Sequence, residues 1–281
     1  MNYHSRKPAL VLVAFGTTTT ARQSYAAFEG RLRQVFPEHE VYWAYSSRQV
    51  RHFARQRHGR DHQGPTEVLR RLRGQGYEWA VVQSLHLLAG HEFYRLVAEV
   101  QQVPIRTAIG LPLLYAPEDY QRVAALLARA WQDLGHDEAI VFVGHGTDHA
   151  SWATYLALQH FLGELVDRPV FVGVLEGYPE REETVAAVVA SGARRVRLIP
   201  LMLVAGVHVQ EDLAGPEDSW QADLKAAGLE VTLEAQGLLE LPGVIDLFQE
   251  HLAQALEAIP ASLPFPVPEA AAGLKRCYQL C

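Results

Sequence analysis

The chain has 281 residues, 49% of them hydrophobic and 20% charged, the make-up of a globular protein of one large domain or two modest ones. That composition excludes a disordered chain, a collagen-like repeat and a disulfide scaffold. The net charge of −7 has the wrong sign for a duplex nucleic-acid binder, and no apolar run reaches the ~20 residues of a membrane span, so neither nucleic acid nor membrane is an expected partner.

The N-terminus is basic (Arg6, Lys7) and leads into an apolar run from Ala9 to Phe15. A short leader has that look, but Gly16-Thr17 and a helical pattern follow at once, and the run reads as a first strand. Further short apolar runs lie at 40–45, 79–85, 105–109, 139–144, 170–175, 195–201 and 229–234. Amphipathic stretches separate them; Trp152, Tyr155, Leu156, Gln159 and Leu162 keep the i, i+3, i+4 rhythm of a helix. Continuous Val/Ile/Leu strands alternating with helices predict parallel sheets covered on both faces. Ligands of such sheets bind beyond the carboxyl ends of the strands.

The chain repeats itself. Val11 to Thr17 matches Val141 to Thr147, Val41 to Ala44 matches Val170 to Gly173, Leu87 to Gly90 matches Leu203 to Gly206, and Gly110 to Leu113 weakly matches Gly237 to Glu240. The order of the matches predicts two similar Rossmann-like α/β halves, 1–130 and 131–260, each a parallel sheet flanked by helices. A Pro-rich tail, 261–281, follows, and the stretch from Ile259 to Pro268 is unable to form helix or central strand. The two cysteines, Cys277 and Cys281, both fall in that tail. With none in the body, no internal disulfide is expected, which fits a reducing cytoplasm.

Histidine is over-represented: 13 against 25 Lys plus Arg. It titrates near neutrality and is the commonest metal ligand. His145 lies in Gly144-His145-Gly146-Thr147, directly after an apolar run, where flanking glycines permit a sharp turn and close ligand approach. His208 follows Gly206 after the next-but-one strand, with Glu211 and Asp212 behind it. Glu176 follows the strand between them. Each residue alone fits a structural role as well as a chemical one. Together, two imidazoles and a carboxylate from three successive strand ends suit a divalent transition metal. The internal alignment sets Glu92 of the first half at the position of His208 in the second. Arg48, Arg51, Arg55, Arg57 and Arg60, with His52 and His58 among them, form a local basic stretch that suits either a polycarboxylate ligand or a solvated loop. No HExxH helix and no Gly-x-Ser-x-Gly elbow is present, which argues against a zinc peptidase and an α/β-hydrolase.

Val13-Ala14-Phe15-Gly16-Thr17, Gln83-Ser84-Leu85-His86, Gly144-His145-Gly146, the block from Pro200 to His208 and Asp218-Ser219-Trp220 resemble the anaerobic sirohydrochlorin cobaltochelatases of the CbiK type. These are ATP-independent class II chelatases, and the likeness runs from about residue 8 to about 255. It implies two similar α/β halves with a cleft between them, and insertion of Co²⁺ into sirohydrochlorin, a tetrapyrrole with eight carboxylates, in anaerobic cobalamin synthesis. It sets the family's two active-site histidines on His145 and His208, its metal-binding glutamate on Glu176 and a further cleft glutamate on Glu92. No cofactor beyond the substrate metal is implied, and the haem of periplasmic relatives is not carried over. The sequence leaves open Fe²⁺ or Ni²⁺ in place of Co²⁺, a non-enzymatic carrier of metal or tetrapyrrole, and assembly as a homo-oligomer.

Overall fold

The computed structural model describes residues 6–16, 22–47, 51, 62–205, 209–241 and 243–259. Strands and helices alternate among them: β1 (Ala9–Ala14), α1 (Arg22–Val35), β2 (Val41–Tyr45), α2 (Pro65–Gly74), β3 (Trp79–Leu85), α3 (His91–Val100), β4 (Arg106–Gly110), α4 (Pro117–Ala130), β5 (Glu138–Thr147), α5 (Ala153–Gly163), β6 (Val170–Gly177), α6 (Arg181–Ala190), β7 (Arg195–Pro200), α7 (Trp220–Ala226), β8 (Glu230–Leu233) and α8 (Val244–Glu257). Two helices, α2 and α4, start where the sequence writes proline and then an acid. Pro65 and Pro117 occupy first-turn positions where no N–H is needed, and the Glu67 and Asp119 carboxylates accept from the Gly64 and Ala116 N–H groups at 2.8 Å.

The strands form two four-stranded sheets, ordered β2-β1-β3-β4 and β6-β5-β7-β8, and every pairing is parallel. The second sheet thus repeats the topology of the first, with β5 in the place of β1. Both central strands are sealed from solvent: Ala9 to Ala14 and Ala139 to Val143 are 0% exposed. That burial on both faces is why the strands read as unbroken apolar runs.

All eight expected strands are present, and two run further than the sequence predicts. β5 continues beyond Gly144 to Thr147, and β6 continues to Gly177, so that Gly146 pairs with Glu176 and Thr147 with Gly177. The glycine-flanked histidine is therefore the end of a paired strand rather than a turn. Two glycines make this possible, since Gly146 and Gly177 both lie at φ 90°, where other residues are strained.

The molecule divides into two compact units. The first holds β1, Tyr25–Leu113 and the chain from Asp246; the second holds Leu114–Ile245. The units are bounded after Leu113 and Ile245, because α4 packs on α5 and α8 packs on α1. Tyr120 of α4 donates to Thr154 Oγ1 of α5 at 3.0 Å and leans on Phe161. In α8, Phe248 meets Phe28 edge-on at 5.9 Å, and the Asp246 carboxylate accepts from Arg31 at 2.9 Å. The tail 261–281, with Cys277 and Cys281, lies outside the described residues. Among the described residues no helix is long and apolar enough to cross a membrane.

Close packing in the second unit turns on Trp220, which is 0% exposed and lies against the α-carbon of Gly173; a β-carbon there would be 2.2 Å from its ring. Gly173→Ala is expected to destabilise by about 1–3 kcal/mol through overpacking, read as a shift in urea midpoint. In a Trp220→Phe background, which lacks the outer ring, the same change should cost much less.

Candidate functional site

In the second unit the prolonged ends of β5 and β6 wall a cavity of about 810 Å³. His145, Thr147, Asp148 and Trp152 line it from β5 and the loop beyond; Leu175, Glu176, Tyr178, Glu180 and Arg181 line it from β6 and the start of α6. Asp212 and Asp218 complete it from the chain after β7. His145 and Glu176 are both exposed to solvent. The structure thus brings these two sequence candidates to one cavity, from adjacent strands.

The local backbone explains how. A β-carbon on Gly146 would lie 1.8 Å from the Glu176 carbonyl oxygen, so β5 and β6 approach too closely there for any side chain. Tyr155, in the first turns of α5 and 2% exposed, props the strand end from beneath. Its ring fills the space a Gly144 side chain would take, with a β-carbon there only 2.4 Å away. Its hydroxyl accepts from the Gly146 N–H at 3.0 Å. Burial pushes the Tyr155 hydroxyl pKa up to about 12, so it stays a neutral phenol at working pH. His145 is held between two glycines that one tyrosine immobilises.

The electrostatics of the lining are one-sided. Among the described residues that line it, Asp148, Glu176, Glu180, Asp212 and Asp218 face one arginine, Arg181. That arginine is engaged already, 2.5 Å from Asp218 and 2.9 Å from Asp223. A cavity so lined attracts a divalent cation and repels carboxylates.

The other candidates are distributed differently. Glu92 stands in the first unit, in the opening turn of α3, where the helix N-terminus favours a negative charge. One of its oxygens is 2.8 Å from Arg95, and the other is buried without a hydrogen-bond partner. His208 lies outside the described residues. Among the described residues no group of three or more His, Cys, Asp or Glu is placed to hold a metal. Of the basic stretch, Arg51 is half-buried and 3.9 Å from Glu67; Arg48, Arg55, Arg57, Arg60, His52 and His58 lie outside the described residues.

Two further histidines have structural work. His149 caps the short helical turn Ala150–Trp152, its Nδ1 accepting from the Ser151 N–H at 3.1 Å. In the first unit His86 is buried just past β3, between Ser84 Oγ at 2.8 Å and Ser46 Oγ at 3.3 Å. Burial drives its pKa down to about 4, so it joins the ends of β2 and β3 as a neutral ring. Sequence reasoning did not single out Tyr155, Asp148 or Tyr178. The helical stripe contained Tyr155, but nothing in spacing alone ties its hydroxyl to Gly146.

This fold is that of the tetrapyrrole chelatases. The structure of SirB from Bacillus subtilis with Fe³⁺ superposes at a TM-score of 0.62, over 89% of this chain and 96% of that one, at 18% identity. The structure of CbiX, described as the terminal enzyme of sirohaem biosynthesis in denitrifying bacteria, gives 0.55 over 88% and 99%, at 19% identity. Sequence narrows the class. The family model for cobalt chelatase (CbiK) matches residues 8–257, and the chain belongs to that family. It is 37% identical over 257 residues to a sirohydrochlorin cobaltochelatase of Salmonella typhimurium, covering 89% of this chain and 97% of that protein. It is 33% identical over 262 residues to the sirohydrochlorin cobaltochelatase CbiKC of Nitratidesulfovibrio vulgaris, covering 90% and 92%.

Tyr155→Phe should leave the ring packing intact and deprive the Gly146 N–H of its acceptor. The expected result is a loss of about 1 kcal/mol and faster amide exchange at Gly146, followed by NMR. His86 predicts a pH effect. Between its ordinary pKa of 6.5 and its folded value of about 4, the unfolded chain binds a proton that the folded chain does not. Stability from this group is therefore complete above pH 6.5 and falls as the pH drops through that window, by about 3 kcal/mol in all. His86→Asn should show a flatter fall in melting temperature between pH 7 and pH 5 than the wild type.

Proposed function

We propose that this chain inserts Co²⁺ into sirohydrochlorin without ATP, in the anaerobic synthesis of cobalamin and in the cytoplasm. Membership of the CbiK family supports the reaction and the substrates. The observation that supports the site is the convergence of His145 and Glu176, from the ends of β5 and β6, on one acid-lined cavity.

His145, Glu176 and His208 hold the incoming cation in this reading. The imidazoles bind it in their neutral form, since a protonated ring has no lone pair to give. Two histidines and one carboxylate leave coordination positions open, so the metal is held but not caged. The surrounding carboxylates raise the local concentration of cations and hold no competing anion. Insertion removes two pyrrole N–H protons for each Co²⁺ gained, so the charge of the macrocycle does not change. Once the cation has passed to the macrocycle nitrogens, the freed imidazole of His145 accepts one proton as general base. A carboxylate accepts the other: Glu176 or, as the family resemblance implies, Glu92. The protein needs no resident cofactor, because the metal is itself a substrate.

An anaerobic absorbance assay with sirohydrochlorin and, in separate runs, Co²⁺, Fe²⁺ and Ni²⁺ tests the reaction and the metal together. The wild type is expected to convert the metal-free spectrum to that of the cobalt complex fastest with Co²⁺. A carrier would bind both partners and leave the spectrum unconverted. His145→Ala and Glu176→Gln are expected to lower kcat about 100-fold or more with unchanged circular dichroism; near-wild-type rates in both would sink the site assignment.

A further inference from the structure

Two large aromatic side chains stand exposed over the cavity. Trp152 is 37% and Tyr178 43% exposed. Their ring centroids are 5.5 Å apart and their planes cross at 87°. Both line the cavity that His145 and Glu176 line. Trp152 belongs to the same helical stripe as Tyr155, yet it lies outward while Tyr155 is buried.

Neither ring sits on loose backbone. The His149 N–H donates to Thr147 Oγ1 at 3.1 Å and the Trp152 N–H to the His149 carbonyl at 2.9 Å, which ties the segment from β5 to α5. Tyr178 sits between Gly177, still paired with Thr147, and the buried Pro179. Exposed aromatics on a tied scaffold make a pre-organised contact surface, and flat rings are suited to receive another flat ring.

The charges around them restrict what that partner is. Asp148, Glu180, Asp212 and Asp218 repel an anion, and Arg181 is engaged by two of the neighbouring acids. A substituent carboxylate finds no counter-charge among these residues, whereas an uncharged π-face meets no penalty. A planar macrocycle whose acid groups lie at its rim satisfies both conditions when its face enters and its rim stays out.

We propose that Trp152 and Tyr178 are a stacking platform for the tetrapyrrole ring, and that they set substrate affinity apart from metal affinity. This rests on the function proposed above. Because the two rings are perpendicular, only one lies flat on the macrocycle and the other braces it edge-on, so the two residues contribute unequally.

The test is equilibrium binding of metal-free sirohydrochlorin under anaerobic conditions, with Co²⁺ affinity measured separately by calorimetry in the absence of tetrapyrrole. Trp152→Ala, Tyr178→Ala, the two phenylalanine variants and Trp152→Leu are compared with the wild type. The more important alanine substitution is expected to weaken tetrapyrrole binding and raise its KM about tenfold, the scale of an aromatic stacking contact. Co²⁺ affinity should stay within twofold. Phenylalanine should restore most of the loss and leucine little of it. The platform is overturned if both alanine variants bind the tetrapyrrole within twofold of wild type. It is equally overturned if they lose Co²⁺ affinity in parallel, or if leucine restores as well as phenylalanine, because the rings would then only hold the loops. Failure of the wild type to bind sirohydrochlorin at all would instead remove the underlying function.

Discussion

There is no room for a side chain between β5 and β6 at Gly146, and the form of the site follows from that. The Glu176 carbonyl occupies the place of a β-carbon, which allows the two strands to stay paired past the point where the hydrophobic core ends. Pairing carries His145 and Glu176 out of the core as parts of a sheet rather than of a loop. A sheet end is stiffer than a loop end, because each residue is held by the neighbouring strand as well as by its own. Tyr155 adds a second restraint from below, filling Gly144's empty side and holding Gly146's N–H. Pre-organisation of His145 and Glu176 thus begins with two absent side chains and one buried ring.

The same residue type serves opposite ends in the two units. His86 is sealed among serines, and the loss of hydration lowers its pKa to about 4. Proton exchange is thereby closed to it, and it acts as a neutral hydrogen-bonding spacer between strand ends. His145 is exposed beside carboxylates, open to solvent and to arriving cations. One residue type, set past different strands of two similar sheets, is put to different use by burial and by charge.

Much of the fold was legible in the sequence for one physical reason. Strands buried on both faces are mostly apolar, so β1 and the middle of β5 stand out as runs, and the repeat of those runs gives the repeat of the sheets. The ends of β5 and β6 were not legible, because glycine in a sequence signals a turn and close strand approach equally well. Of the site, His145 and Glu176 were readable from their place after apolar runs. Tyr155, Asp148 and Tyr178 were not, since their relation to the cavity depends on contacts between separate elements. Which helices pack together was not legible either, because a helix's packing partner leaves no mark on its own sequence; Tyr120 shows no sign that Thr154 awaits it.

The packing of α4 and α8 bears on how such a chain can be divided. α4 is encoded with the first sheet but packs with the second, and α8 is encoded after the second sheet but packs with the first. The duplicated halves have in effect traded their last helices, the arrangement a domain-swapped dimer would have if its two chains were joined end to end. A gene cut at the repeat would yield two fragments that each lack a helix the other carries. They would fold well only on meeting, as complementing parts of one enzyme and not as two independent proteins.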